Sequence, residues 1–296
     1  MATLSIFANF YVNDEERFLR MKDSFLSFKD IEAQKWVINI RGEFKEDAMI
    51  FLRSNLKQKL ISYALDSKEG WFDDTKQMID IIDTDFILFW VEDHVNQVDV
   101  TRYKEIISEM KSTGAEYLTH SWWFSGRPLE IYRDVKKKES KNIFSFILDQ
   151  EANHRINEKY SAYIISMLGI FATSLFKKII KRGAPVLRSY PKKTPLDFEK
   201  GAEEVQWLPI HYAIPKYELF ASIDDGGEGY SLQSRDLYSK RVLRPVASTV
   251  EIPHWKLAFR TGIREYIPVF IYKKLIRVVI FYNKVARYVT LLIKGL

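Results

Sequence analysis

The chain of 296 residues has no cysteine. Disulfide staples and thiolate metal sites are therefore excluded, and a cytosolic location is allowed. Glycine is missing where many phosphate-binding enzymes need it: the stretch ANFYVNDEER, residues 8–17, contains none. No GxxxxGK[ST] sequence occurs either. These two absences argue against a glycine-fingerprint dinucleotide fold and against a P-loop. Long hydrophobic runs are also lacking. Residues 160–176, YSAYIISMLGIFATSLF, fall short of the roughly 20 apolar residues a spanning helix needs. Ser161, Ser166, Gly169, Thr173 and Ser174 dilute the run further, so a buried or groove-lining helix is expected there. The opening residues carry no basic segment ahead of an apolar one, and no secretory signal is expected. No internal repeat is found.

What is present is a well-supplied core. Hydrophobic residues make up 47% of the chain and aromatic residues 15%, which excludes general disorder. The net charge of +6 is unevenly placed. Residues 255–296 hold nine lysines and arginines against the single acid Glu265, a local +8, so the rest of the chain carries −2. An anionic surface is the expected partner of such a tail.

The first 125 residues alternate in period. Strands are expected over 4–11, 35–40, 59–65 and 86–91, with a short one from 116. Helices are expected over 14–28, 45–56, 73–82 and 100–112. In the first helix Phe18, Leu19, Met21, Phe25 and Leu26 form the expected buried stripe. Strands alternating with helices across short connections predict βαβ units and a mostly parallel sheet flanked by helices. Farther on, residues 135–141 (VKKKESK) read as a solvated loop. A loop-rich stretch with Pro185, Pro191, Pro195, Pro209 and Pro215 then leads to the acidic turn Asp224-Asp225-Gly226-Gly227.

The central run, Phe86 to Val91, is apolar and stops abruptly at Glu92-Asp93-His94. Ligands in open α/β sheets bind at the carboxyl ends of strands. Two carboxylates and an imidazole there suit a divalent cation, a diphosphate held through it, or a hydroxyl awaiting deprotonation. A merely solvated strand end is the competing reading.

From Pro268 onward the chain is compatible with helix. At about 100° per residue, Lys273, Lys274, Arg277, Lys284, Arg287 and Lys294 gather on roughly one side, with valines, leucines and tyrosines elsewhere. A basic amphipathic helix of this kind suits a membrane interface. Docking of its apolar face on protein, and nucleic-acid binding, are the rival readings; no nucleic-acid-binding motif accompanies the latter. The expected organisation is a catalytic domain over 1–250, in halves of about 1–125 and 126–250, followed by a helical tail over 251–296.

A strand with polar residues at its tip, two further βα units, and an apolar strand ending in acids, FILFWVEDH, resemble the nucleotide-sugar half of GT-A-type glycosyltransferases. Together with TPLDFEK (194–200) and ELFASIDDGGEGYS (218–231), the chain is similar to bacterial surface-polysaccharide transferases of that class. The resemblance implies a nucleotide-sugar donor, a glycan or glycolipid acceptor, and a place on the inner face of the cytoplasmic membrane. It implies manganese or magnesium on the donor diphosphate, held at Asp93 and His94, with metal-independent transfer as the alternative. Glu-Asp-His departs from the family's Asp-x-Asp, and Asn39-Ile40-Arg41-Gly42 stands where commoner members carry an aspartate-rich turn. On this resemblance Phe10, Tyr11, Arg41 and Glu92 contact the donor. Asp93 orients the leaving diphosphate, and Asp224 or Asp225 takes the acceptor's proton. His120 and His211 are alternative bases. Two other functions compete: a nucleotidyltransferase using Asp83, Asp85 and Asp93 for metals, and a non-enzymatic membrane-attached module.

Overall fold

The structure, a computed structural model, describes residues 1–67, 70–119, 127–159, 165–182, 206–224 and 231–238. The first half alternates as the periodicity requires. β1 (Leu4–Tyr11), α1 (Glu15–Phe28), β2 (Lys35–Arg41), α2 (Lys45–Asn55), β3 (Lys59–Tyr63) and α3 (Trp71–Met78) lead to β4 (Phe86–Phe89). A short β5 (His94–Asn96), α4 (Thr101–Thr113) and β6 (Tyr117–Thr119) follow. The second half supplies α5 (Arg127–Ile131), β7 (Lys138–Glu139), β8 (Ile143–Leu148), α6 (Gln150–Lys159), β9 (Gly169–Ala172), α7 (Thr173–Arg182), β10 (Ile210–Pro215) and β11 (Phe220–Ser222).

Nine strands form one sheet in the order β3-β2-β1-β4-β9-β6-β10-β8-β7, and β11 pairs with β5 in a small second sheet. Only β8 and β9 run against the common direction of the large sheet. The α/β class with a mostly parallel sheet flanked by helices is thus the fold. β2 is buried throughout, and β1 at every residue but Tyr11. Strands covered on both faces read as continuous apolar runs. On one face Phe25 and Trp90 pack edge-on to Trp36; on the other Trp71 packs against Phe89, and Phe7 against Phe176.

Three expectations are corrected. Residues 160–176 are not one helix: β9 occupies Gly169–Ala172, inserted antiparallel between β4 and β6, and α7 starts at Thr173. Gly169 is required there, because a Cβ would meet Leu118 O at 2.6 Å. The buried stripe of α1 is Arg20, Met21, Ser24, Phe25 and Phe28, while Leu26 is exposed; the helix turns polar groups inward to meet segments distant in sequence. The proline-containing stretch expected to be loop-rich contributes β10 and β11. The run at 135–141 is largely exposed as expected, with Lys138–Glu139 forming a short edge strand. Among the described residues no helix is long and apolar enough to cross a membrane.

Candidate functional site at the carboxyl edge of the sheet

β1 marks the point where strand order reverses, with β2 and β3 on one side and β4 on the other. Open α/β sheets take ligands beyond the carboxyl ends of their strands at such a switch point. The turn after β4 lies there and is held by α1. Asp14 caps that helix by accepting from Arg17 N at 2.8 Å, with Glu15 and Glu16 in the favourable first turn. One face of α1 then carries two hydroxyls, Ser24 and Ser27, to the turn. Trp90 Nε1 donates to Ser24 Oγ (2.8 Å), which lies within reach of Val91 O (3.2 Å) and of His94 O. Asn96 N donates to Ser27 Oγ at 3.0 Å.

The opposite side of the turn is clasped by β11. Ser222 is the register partner of His94, and Ile223 N donates to Asp93 O at 2.7 Å. This pairing carries Asp224 to the candidate site. Its Oδ2 meets Nη1 of Arg20, a guanidinium only 4% exposed that also holds Glu16. The other oxygen of Asp224 makes no hydrogen bond among the described residues. Arg17, one turn earlier than Arg20, reaches Glu92 Oε1 at 3.3 Å.

The three acids and bases of the turn are not alike. Burial above all, and then the charge of Asp93, push the Glu92 carboxyl up to about 8, against the pull of Arg17 and Arg20. Burial also pushes Asp93 upward, but His94 outweighs it and holds that carboxyl below its ordinary value. The contact is direct: His94 Nδ1 lies 2.7 Å from Asp93 Oδ1. Environment thus separates two adjacent carboxyls, one favouring the neutral form and one the charged.

A second polar group sits at the ends of β1 and β2. The Arg41 guanidinium lies 3.9 Å from the centre of the Tyr11 ring, and its Nη1 donates to the Tyr11 hydroxyl at 3.1 Å. Tyr11 donates onward to Asp66 Oδ1 at 3.1 Å. Arg41 also faces the fully buried Asp74, with Nη1 3.4 Å from Oδ2. Beneath them Asn39 Nδ2 donates to Asn9 Oδ1 (3.1 Å), and Asn9 Nδ2 to Thr75 Oγ1 (3.0 Å). Gly42 makes the sharp exit from β2 at φ 100, with Val12 O 2.5 Å from where a Cβ would stand.

The edge therefore brings together Tyr11, Arg41, Glu92, Asp93, His94 and Asp224. Phe10 is a correction: its side chain points the other way from Tyr11, 6% exposed and edge-on to Trp90 at 5.1 Å, in the core rather than at a ligand. His211 is a second correction. It is the second residue of β10, beside Glu116, whose Oε2 accepts from His211 N at 3.1 Å. That is the amino edge of the sheet. Asp83 and Asp85 sit at the amino edge too, paired with Lys35 (2.6 Å) and Lys111 (2.9 Å), and share no site with Asp93. Asp225, His120, residues 194–200 and the tail cations Lys273, Lys274, Arg277, Lys284, Arg287 and Lys294 lie outside the described residues. Among the described residues no three His, Asp or Glu side chains are grouped to hold a metal. Asp93 and His94 are thus two candidate ligands among the described residues, a number that suits a cation taking further oxygens from substrate and water, as magnesium commonly does. Sequence reasoning missed Arg17, Arg20 and Ser24. The signal for the last two was their spacing with Ser27, which puts all three on one face of α1.

Neither a protein-family model nor a curated protein sequence matches this chain. Among solved structures the chain is similar to S. aureus TarS 1-349, at 15% identity and a TM-score of 0.46 over 75% of this chain and 60% of that one. The same protein in complex with UDP-GlcNAc aligns at 14% identity and 0.46, over 76% and 60%. A UDP-glucose pyrophosphorylase complexed with UDP-glucose aligns at 10% and 0.40, over 74% of this chain and 92% of that one. The chain thus spans about three-fifths of the TarS 1-349 chain.

Proposed function

We propose that this chain is a glycosyltransferase of GT-A type, moving a sugar from a nucleotide-sugar donor to a glycan or glycolipid acceptor at a membrane surface. One observation carries the reading: the β5–β11 pairing sets Asp224 beside the turn Glu92-Asp93-His94, at the switch point between β1 and β4. Carboxylates from distant segments are thus carried to the edge where such a sheet takes nucleotides.

In this reading Tyr11 offers a ring for the base, and Arg41 fixes that ring from one side and reaches the ribose. Asp93, kept charged by His94, orients the leaving diphosphate. The acceptor oxygen forms its bond to the anomeric carbon as the bond to the diphosphate breaks, and its proton passes to a carboxylate, either Asp224 or Asp225. A manganese or magnesium ion would be held by Asp93 with His94 beside it, and would supply charge neutralisation to the leaving diphosphate. The basic tail fits an acceptor carried on a lipid, because it keeps the enzyme on the inner membrane face where such an acceptor resides.

Thermal unfolding with UDP-, GDP- and CMP-sugars, with and without manganese, tests the proposal. A ligand at a hundred times its dissociation constant adds about 2.7 kcal/mol of stability. One nucleotide class is expected to raise the midpoint in the wild type, and transfer is expected to fall by roughly a hundredfold or more in Asp93→Ala. Silence across the whole panel would instead favour a non-enzymatic membrane module.

A further inference from the structure

Among the cations described at this edge, Arg17 is set apart by how little holds it. The guanidinium bridges the switch point: Nη1 lies 3.4 Å from Tyr11 O, at the end of β1, and 3.3 Å from Glu92 Oε1, after β4. Both contacts are long for charge-assisted bonds, which run to about 2.7–2.9 Å, and both use the same nitrogen. Nε and Nη2 make no hydrogen bond among the described residues. The side chain is 34% exposed, whereas that of Arg20, one turn on, is 4% exposed between Glu16 and Asp224.

Apart from Glu92, the neighbouring acids are committed elsewhere. Asp14 caps the helix through the Arg17 amide, Glu16 and Asp224 hold Arg20, and Asp93 holds His94. A planar fork of donors, with one nitrogen in use and two unspent, is shaped to receive an anion presenting several oxygens. We propose that Arg17 is a binding residue for the diphosphate of the donor, gripping its oxygens across the β1–β4 crevice. The identity of that anion rests on the donor-site reading above.

Calorimetric titration of the full chain with inorganic pyrophosphate, in EDTA and again with manganese, reads this contact without base or sugar. The wild type is expected to bind. Arg17→Ala is expected to weaken binding roughly tenfold or more, the scale of losing a bidentate charge-assisted contact, and Arg17→Lys to recover part of it. Arg53→Ala, which removes an exposed arginine on α2, is expected to change nothing. If Arg17→Ala fails to fold, Arg17→Gln measured against Arg17→Lys carries the same comparison. Equal affinity in wild type and Arg17→Ala, an equal loss in Arg53→Ala, or no pyrophosphate binding by the wild type would each overturn the assignment. The two readings fail separately: a nucleotide-sugar shift that survives Arg17→Ala removes only Arg17, whereas silence of every nucleotide-sugar with pyrophosphate still bound through Arg17 removes the donor.

Discussion

Phe10 and Tyr11 are neighbours in β1 with opposite fates, because successive side chains of a strand face opposite ways. Phe10 lies edge-on to Trp90 in the core, and Tyr11 lies under Arg41 at the rim. Phe10→Ala is expected to cost roughly 3–5 kcal/mol in urea denaturation while leaving the nucleotide affinity of the folded protein nearly unchanged. Tyr11→Ala should reverse the pattern. It loses about 1 kcal/mol from the contact with Arg41 and weakens nucleotide binding by roughly tenfold, the scale of one stacked base. At this level the sequence is half legible. Glu92, Asp93 and His94 announce themselves by ending an apolar run, which is a local signal. Arg17 does not, and Arg20 does so only through its helical spacing with Ser24 and Ser27, since arginines in the first turns of a helix ordinarily face water. Their partners, Glu92 and Asp224, are brought to them only by the fold.

Helix α1 shows how an element can be right in position and wrong in face. Its span follows from Asp14 and the two glutamates after it, but its inward side is partly polar because it must grip the turn after β4. Ser24→Ala tests that grip. Without the hydroxyl, the buried Trp90 N–H has no acceptor, an expected cost of roughly 1–3 kcal/mol. Amide exchange across residues 92–96 should quicken more than in β2. Residues 160–176 illustrate a different limit. A continuous apolar run does not distinguish a buried strand from a buried helix, and what decides here is the opening between β4 and β6 that β9 fills. The β5–β11 pairing was likewise invisible, each strand having three residues and a partner far along the chain.

Across the whole molecule, charge is sorted by place. The amino edge of the sheet is tied by surface pairs, among them Asp85 with Lys111 and with the amide and hydroxyl of Thr3. The hydrogen bond from Lys111 foremost, and those from Thr3, hold the Asp85 carboxyl below its ordinary value despite some burial. A carboxyl lowered on folding adds stability above its unfolded pKa, about 3.9, and that stability disappears as pH falls through the lower folded value. The stability gap between wild type and Asp85→Asn should therefore be full at pH 6 and shrink as pH falls below about 4, read as urea midpoints. A gap that stays constant over that range would show that Asp85 contributes through packing alone.

The largest asymmetry is the net +8 of residues 255–296 against −2 for the rest. Under the proposed function, this separation of charge assigns chemistry to the sheet edge and attachment to the tail. Each lysine or arginine near an anionic leaflet adds about 1 kcal/mol, within a Debye length of about 8 Å at physiological salt. On that proposal the six cations Lys273, Lys274, Arg277, Lys284, Arg287 and Lys294 together should hold the protein on such a surface. Deleting residues 256–296 should abolish cosedimentation with phosphatidylserine-containing vesicles. Wild-type binding should weaken steeply as salt is raised, and the thermal response to nucleotide-sugars should survive the deletion. Vesicle binding that persists without the tail would move the attachment to the body, whose −2 charge gives an anionic leaflet no reason to hold it.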